Sequence, residues 1–264
     1  MDLGIAGRRA LVTGSTLGIG FATAKLLAAE GAAVLVNGRT TARVDAAVIA
    51  IREAVPGAVV RGIAADLGTR GGCSKVIADA PDIDILVNNV GIFEPKPFDQ
   101  IPDEDWTTIF EVNVMSGVRL ARHYIRGMRT RDWGRIVFVS SESGVQIPAE
   151  MIHYGMTKTA QLAIARGLAE TTAGSGVTVN AVLPGPTASE GVSTFVEQMA
   201  AAQGIDFATM ERQFFESARP TSLLKRFETA DEVASMIAYV CSARAAATNG
   251  AALRVDGGVV RAIV

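Results

Sequence analysis

A parallel α/β fold, with helices on both faces of a doubly wound sheet, is what this sequence predicts, and three observations predict it. Apolar, β-branched runs alternate with helical patterns along the chain, the rhythm of repeated βαβ units. The strand candidates are near-continuous apolar runs, as strands covered on both faces are. A glycine-rich turn, Gly14-x-x-x-Gly18-x-Gly20, joins the first apolar run to the first helical stretch.

Taken in order, the strands are expected at Ala10–Thr13, Ala33–Asn37, Val59–Ala64, Ile85–Asn88, Arg135–Ser140, Thr178–Leu183 and Ala252–Val255. Phe21 to Glu30 reads as the helix after the glycine turn. The stretch between Asp66 and Ile83 is short and carries two adjacent glycines, so a truncated helix is expected there. Between Pro184 and Phe227 no strand is expected, and that interval carries Phe195, Met199, Phe207, Met210, Phe214 and Phe215. An insertion at the carboxyl end of a strand suits a lid over a ligand, here at about 186–226. The alternative is that these aromatics fill a core or a subunit contact. No linker, repeat or low-complexity block divides the chain, so residues 1–264 read as a single domain.

Bulk properties exclude several classes. A chain of 264 residues, 49% hydrophobic by composition, is long enough for a well-buried core. A formal net charge of -2 offers no basic excess for nucleic acid. Cys73 and Cys241 are far apart and lack metal spacing, which reads as two free thiols in a reducing compartment. With only His123 and His153, no histidine-rich metal site is expected. The N-terminus has no signal-peptide core and no apolar run approaches membrane-spanning length, so a soluble cytoplasmic protein is expected.

The chemistry concentrates at a few positions. Tyr154 and Lys158 are four residues apart in a helical stretch, which places phenol and ammonium on one face. A phenol with a pKa of about 10 is a poor acid or base at neutral pH. A neighbouring ammonium favours the phenolate and suits it to proton transfer. A solvated surface pair is the alternative. Ser141 ends the apolar run RIVFVSS, where a strand delivers its hydroxyl to a sheet edge. In the turn Gly14-Ser15-Thr16-Leu17-Gly18-Ile19-Gly20, glycines allow close backbone approach, and the following helix offers N–H groups and a positive dipole end to a pyrophosphate. A plain strand-to-helix turn is the alternative.

Thr13-Gly14-(x)3-Gly18-Ile19-Gly20, Asn88-Asn89-Val90-Gly91, Asn113, Ser141, Tyr154-(x)3-Lys158 and Pro184-Gly185 occur in that order, and Val255-Asp256-Gly257-Gly258 lies near the end. This ordered set resembles the single-domain short-chain dehydrogenase/reductase family over nearly the whole chain. The resemblance implies a Rossmann-type seven-stranded sheet and an NAD(P)-dependent oxidoreductase interconverting a ketone and a secondary alcohol. It makes Tyr154 the acid/base and has Lys158 lower the tyrosine pKa and bind the nicotinamide ribose. Ser141, not Ser140, would hydrogen-bond the substrate oxygen, and Asn113 would interrupt its helix and hold a water in a proton relay. Asp66 and Leu67 fall at the adenine contact, Asn89 and Gly91 on the adenine-ribose side. Pro184, Gly185 and Thr187 follow the sixth strand, with Thr187 toward the carboxamide. Val90 stands in place of the usual alanine. Thr157, Thr159 and His153 read as structural, and Glu142 as a loop anchor or a partner of a polar substrate group.

Cofactor choice turns on the end of the second strand. An acidic residue there would bind the ribose 2′-hydroxyl. This chain has Gly38 and then Arg39, whose guanidinium suits a 2′-phosphate. That favours NADP, while Leu17, where many NADP-using members carry a basic residue, leaves NAD open. The apolar interval suggests a ketoacyl or alicyclic substrate, with polyols and sugars still open. A non-catalytic nucleotide-binding scaffold, or a lyase or epimerase using Glu142, are the competing readings. The resemblance also implies a homotetramer, to which the apolar faces of the Tyr154 helix (Leu162, Ile164, Ala165, Leu168) and the C-terminus (Val259, Val260, Ala262, Ile263, Val264) conform.

Overall fold

Seven strands form one parallel sheet: β1 (Arg9–Val12), β2 (Ala33–Gly38), β3 (Val60–Ala64), β4 (Ile85–Asn88), β5 (Gly134–Val139), β6 (Val177–Pro184) and, last in the chain, β9 (Ala252–Val255). The computed structural model describes residues 2–188, 200 and 204–263. Spatial order is β3-β2-β1-β4-β5-β6-β9, with every neighbouring pair parallel. The order reverses between β1 and β4, and in such sheets the crevice at the carboxyl ends of these strands is where ligands bind. Strand ends fall within a residue of the sequence expectation.

Helices cover both faces: α1 (Gly18–Ala29), α2 (Thr41–Ala54), α3 (Arg70–Asp79), α4 (Asp103–Phe110), α5 (Ser116–Thr130), α6 (Ile152–Glu170), α7 (Phe207–Ser217) and α8 (Ala230–Cys241). Successive strand side chains point to opposite faces, which divides the core in two. Ala10, Val12, Val87, Val137 and Val139 pack with Leu27, Ile51 and Ile237 on one side. Leu11, Leu86, Ile136 and Phe138 pack with Val76, Leu120 and Ala165 on the other. Each fully buried Leu, Ile or Phe stabilises the fold by about 1.5–3 kcal/mol.

Three expectations are corrected. The helix after Asp66 is not truncated: α3 runs ten residues, started by Thr69, whose hydroxyl accepts the Gly72 N–H. The cap supplies what the glycines withhold. The interval after Pro184 is not free of strand, because β7 (Thr187–Ala188) pairs in parallel with β8 (Glu228–Thr229) and closes the loop at its base. At the C-terminus, Val259 and Val260 are buried by the chain itself, while Ala262 and Ile263 are exposed. Of the interval's large apolar residues, Phe195 and Met199 lie outside the described residues, as does Val264 of the C-terminus. Phe214, Phe215 and Phe227 pack edge-on or tilted against one another at 5.0–5.2 Å between ring centroids, a small core of their own with Met210.

No helix among the described residues is long and apolar enough to cross a membrane. Cys73 and Cys241 are both free and buried, and burial pushes the Cys241 thiol up to about 12.

Candidate active site

The turn between β1 and α1 is built by a polar lattice. The Thr13 hydroxyl accepts the N–H groups of Asn89 (2.8 Å) and Val90 (3.1 Å). The Asn89 amide donates to the main-chain oxygens of Thr13 and Gly14, both at 3.0 Å. Gly14 has φ +59°, the left-handed region that favours glycine. A Cβ on Gly20 would stand 2.4 Å from the Gly14 oxygen and 2.5 Å from the Asn89 amide nitrogen. Only glycine lets the helix start that close to the loop. Ser15 is spent on the fold: its hydroxyl donates to Val12 O at 2.6 Å and accepts the Asn37 N–H at 3.0 Å.

Helix α1 has no side-chain cap and no acidic residue in its first turn. Its first N–H groups are therefore left for a ligand. Leu17, Gly18, Ile19 and Gly20 line a cavity of about 690 Å³, within the usual range of ligand sites. The same cavity is lined by Asn89, Gly91, Ser141, Tyr154, Lys158, Pro184, Gly185 and Thr187. An uncapped helix start, a glycine cradle that side chains would fill, and a crevice running along the sheet edge fit a nicotinamide dinucleotide. Gly14, Ser15, Thr16, Arg39, Asp66, Leu67 and Asn113 do not line this cavity. Arg39 is exposed at the end of β2, and Asp66 is exposed just beyond β3. Its carboxylate accepts the Gly68 N–H at 3.0 Å. Leu67 is buried. The Val90 side chain packs against the turn, 3.0 Å from where a Gly14 Cβ would lie.

Helix α6 brings Tyr154 and Lys158 to the cavity on one face, with the Lys158 Nζ 5.5 Å from the phenol ring centroid. Phe93 meets the Tyr154 ring edge-on at 6.0 Å. Lys158 donates to the main-chain oxygen of Val139 at 3.0 Å and to Gln161 Oε1 at 3.4 Å. Burial lowers its pKa to about 8, against the pull of the Glu142 charge. Burial raises the Tyr154 phenol above its ordinary value; the Ser141 hydroxyl lowers it, Glu142 raises it and Arg219 lowers it. Lys158 Nζ is the cation the structure sets against the phenol ring, and the charges of Glu142 and Arg219 act on the phenol in opposite directions.

Asn113 does interrupt its helix. A π-turn, Glu111–Met115, joins α4 to α5; such turns leave main-chain groups without their usual partners. The Asn113 side chain is clamped in place: its oxygen accepts the Ile92 N–H at 2.8 Å, and its amide donates to Ile92 O at 2.9 Å and Thr157 Oγ1 at 3.0 Å. Its main-chain oxygen accepts the Gln161 amide at 2.6 Å.

The loop after β5 differs from expectation in its partners. The Ser141 hydroxyl donates to Glu142 Oε2 and accepts the Ser143 N–H at 3.1 Å. Glu142 Oε2 also accepts from Ser143 N and Oγ at 2.7 and 3.0 Å. Glu142 Oε1 accepts from Arg219 Nε at 2.9 Å. Both oxygens are filled, so Glu142 anchors the loop and is no free base. Glu228, beneath Pro184–Thr187, accepts the Gly185 N–H at 3.3 Å while its other oxygen is buried without a partner. Burial pushes it up to about 8, with Asp256 adding to the shift.

Thr159 donates to the main-chain oxygens of Gly144 and Gly155. His153 is buried with its ring edge-on to Trp106 at 5.8 Å. Neither lines the cavity. Sequence reasoning missed Gln161, Glu150 and Arg219. Gln161 carried a signal, three residues after Lys158 on the same helical face. Arg219, more than sixty residues downstream of Tyr154, carried none.

Comparison with known proteins places this geometry. A family model described as short chain dehydrogenase matches residues 8–200. The chain is 47% identical over its full length to the full-length uncharacterized oxidoreductase YvrD of Bacillus subtilis. It is 35% identical to D-beta-hydroxybutyrate dehydrogenase of Cupriavidus necator, over 96% of this chain and 98% of that one. Its fold superposes with a TM-score of 0.93 on L-sorbose reductase of Gluconobacter frateurii complexed with NADPH and L-sorbose, at 31% identity and full coverage of both chains.

Proposed function

Because the chain belongs to the short-chain dehydrogenase/reductase family of oxidoreductases, we propose that it interconverts a ketone and a secondary alcohol with NADP, and that Tyr154 moves the proton. The observation that carries this reading is the convergence of Tyr154, Lys158 and Ser141 with the uncapped start of α1 on one cavity.

When bound, the nicotinamide cofactor supplies or accepts the hydride. The chain does the rest. The first turn of α1 holds the pyrophosphate with main-chain N–H groups. Lys158 directs its ammonium to the nicotinamide ribose, and Thr187 binds the carboxamide. Arg39 takes the 2′-phosphate at the end of β2, with Asp66 and Leu67 toward the adenine. The NADPH held by the sorbose reductase relative supports NADP over NAD. Tyr154 gives its phenolic proton to the carbonyl oxygen during reduction and takes it back during oxidation. Ser141 positions that oxygen, and its own proton is held by Glu142 until substrate arrives. The segment at about 186–226 is proposed as the lid; among its described residues, Met210 and Phe214 of α7 line the cavity.

The lyase or epimerase reading rested on Glu142 as a free carboxylate, and its filled hydrogen bonds remove that support. A non-catalytic nucleotide-binding role is separated by experiment. Loss of NADPH absorbance on adding a ketone supports the reading; tight NADPH binding with no turnover of any carbonyl or alcohol would replace it with the scaffold role.

A further inference from the structure

We propose that the substrate is a neutral, hydroxyl-bearing ketone, and that Glu150 and Arg219 receive its hydroxyl groups. This rests on the oxidoreductase reading above and names its substrate class.

The charge inventory of the cavity comes first. Its lining cations are Lys158 and Arg219, and its lining anions are Glu142 and Glu150. Arg219 is spent on both carboxylates: Nε donates to Glu142 at 2.9 Å and Nη1 to Glu150 at 3.0 Å. Lys158 is held by Val139 O and Gln161. Among the described residues, the two lining cations are matched by two lining carboxylates, so the site holds no excess positive charge for a carboxylate or phosphate. An anionic substrate would enter a site whose positive charge is already matched and would face two carboxylates. Like charges at short range disfavour it.

The second step is what the cavity does offer. Glu150 has a half-exposed side chain and gives only Oε1 to Arg219. Its Oε2 makes no hydrogen bond among the described residues and can accept from a hydroxyl. The Arg219 Nη2 group likewise makes no hydrogen bond among the described residues and can donate to a hydroxyl oxygen. Acceptor and donor stand on adjoining groups, the match for a hydroxyl that both gives and takes. Gln213 and Ser217 of α7 add polar groups to the same lining. A wholly apolar substrate would bury this edge and leave it unpaired, a penalty that rejects analogues lacking the hydroxyl.

The test is the ratio of specificity constants with NADPH for three kinds of ketone. Neutral hydroxyketones run from hydroxyacetone to D-fructose and L-sorbose; acetoacetate is the anionic ketone and cyclohexanone the apolar one. The best hydroxyketone is expected to lead both others by about ten-fold or more. If acetoacetate or cyclohexanone leads, the substrate class is wrong while the oxidoreductase reading stands. If NADPH and NADH both reduce none of them, the reading and the inference fall together. Glu150→Ala then probes the residue: it removes the acceptor and frees Arg219 Nη1. Turnover of the hydroxyketone should fall about ten-fold relative to cyclohexanone, and acetoacetate should gain on both. Equal losses on all three ketones would overturn the assignment of Glu150.

Discussion

The side-chain amide of Gln161 donates to the main-chain oxygen of Asn113 at 2.6 Å, and so joins the π-turn to the helix that carries Tyr154 and Lys158. The other end of the same amide accepts from Lys158. One buried side chain thus occupies the carbonyl that the π-turn frees and fixes the lysine's direction.

Gln161→Leu should leave the Asn113 oxygen buried without a donor and Lys158 with one acceptor fewer. Leaving a buried group unsatisfied costs about 1–3 kcal/mol. We expect a lower Tm together with weaker NADPH binding, measured by fluorescence titration. A variant whose NADPH affinity equals that of the parent would mean Gln161 supports the fold and not the lysine.

The parallel sheet, its strands and the glycine turn were legible because local pattern and global fold agree there: continuous apolar strands, then a turn only glycine can make. Tyr154, Lys158, Ser141 and Asn113 were legible as a spaced set, and the fold brings them to one corner. What connects them was not. Arg219 reaches Glu142 from 77 residues away, a distance no periodicity encodes. Burial raises the Tyr154 phenol, with Ser141, Glu142 and Arg219 adding smaller effects, a consequence of packing that the sequence does not display. The cap of α3 was missed because two glycines outweighed Thr69 in the reading, whereas the hydroxyl at the N-cap sets where that helix begins.

Cofactor preference is assigned to Arg39, exposed at the end of β2. Arg39→Asp removes a positive partner for the 2′-phosphate and adds a repelling carboxylate, so attraction is lost and rejection gained together. The ratio of specificity constants for NADPH and NADH should move toward NADH by about ten-fold or more, as loss of a charged hydrogen bond of 1.5–3 kcal/mol implies. An unmoved ratio would place the choice elsewhere on the crevice.

Glu228 makes stability depend on pH. Its carboxyl is raised from 4.5 to about 8 in the folded chain. A raised acid favours the protonated form, so its stabilising contribution is full below the unfolded value and is lost as pH rises through about 8. Glu228→Gln keeps a neutral group there at every pH. The Tm of the variant minus that of the parent should therefore increase between pH 6 and pH 9. A difference that stays flat would mean the carboxyl is already ionised, and solvated, at neutral pH.

The central claim is that Tyr154 carries the proton, and Tyr154→Phe tests it most directly. The ring packing against Phe93 is kept and only the hydroxyl is lost. Initial rates of ketone reduction, read from NADPH absorbance, are measured beside NADPH affinity. The account predicts near-parental affinity and a turnover reduced by about 10²–10⁴, the usual contribution of general acid–base catalysis. A variant that binds NADPH and keeps more than about a tenth of the parental rate would contradict it.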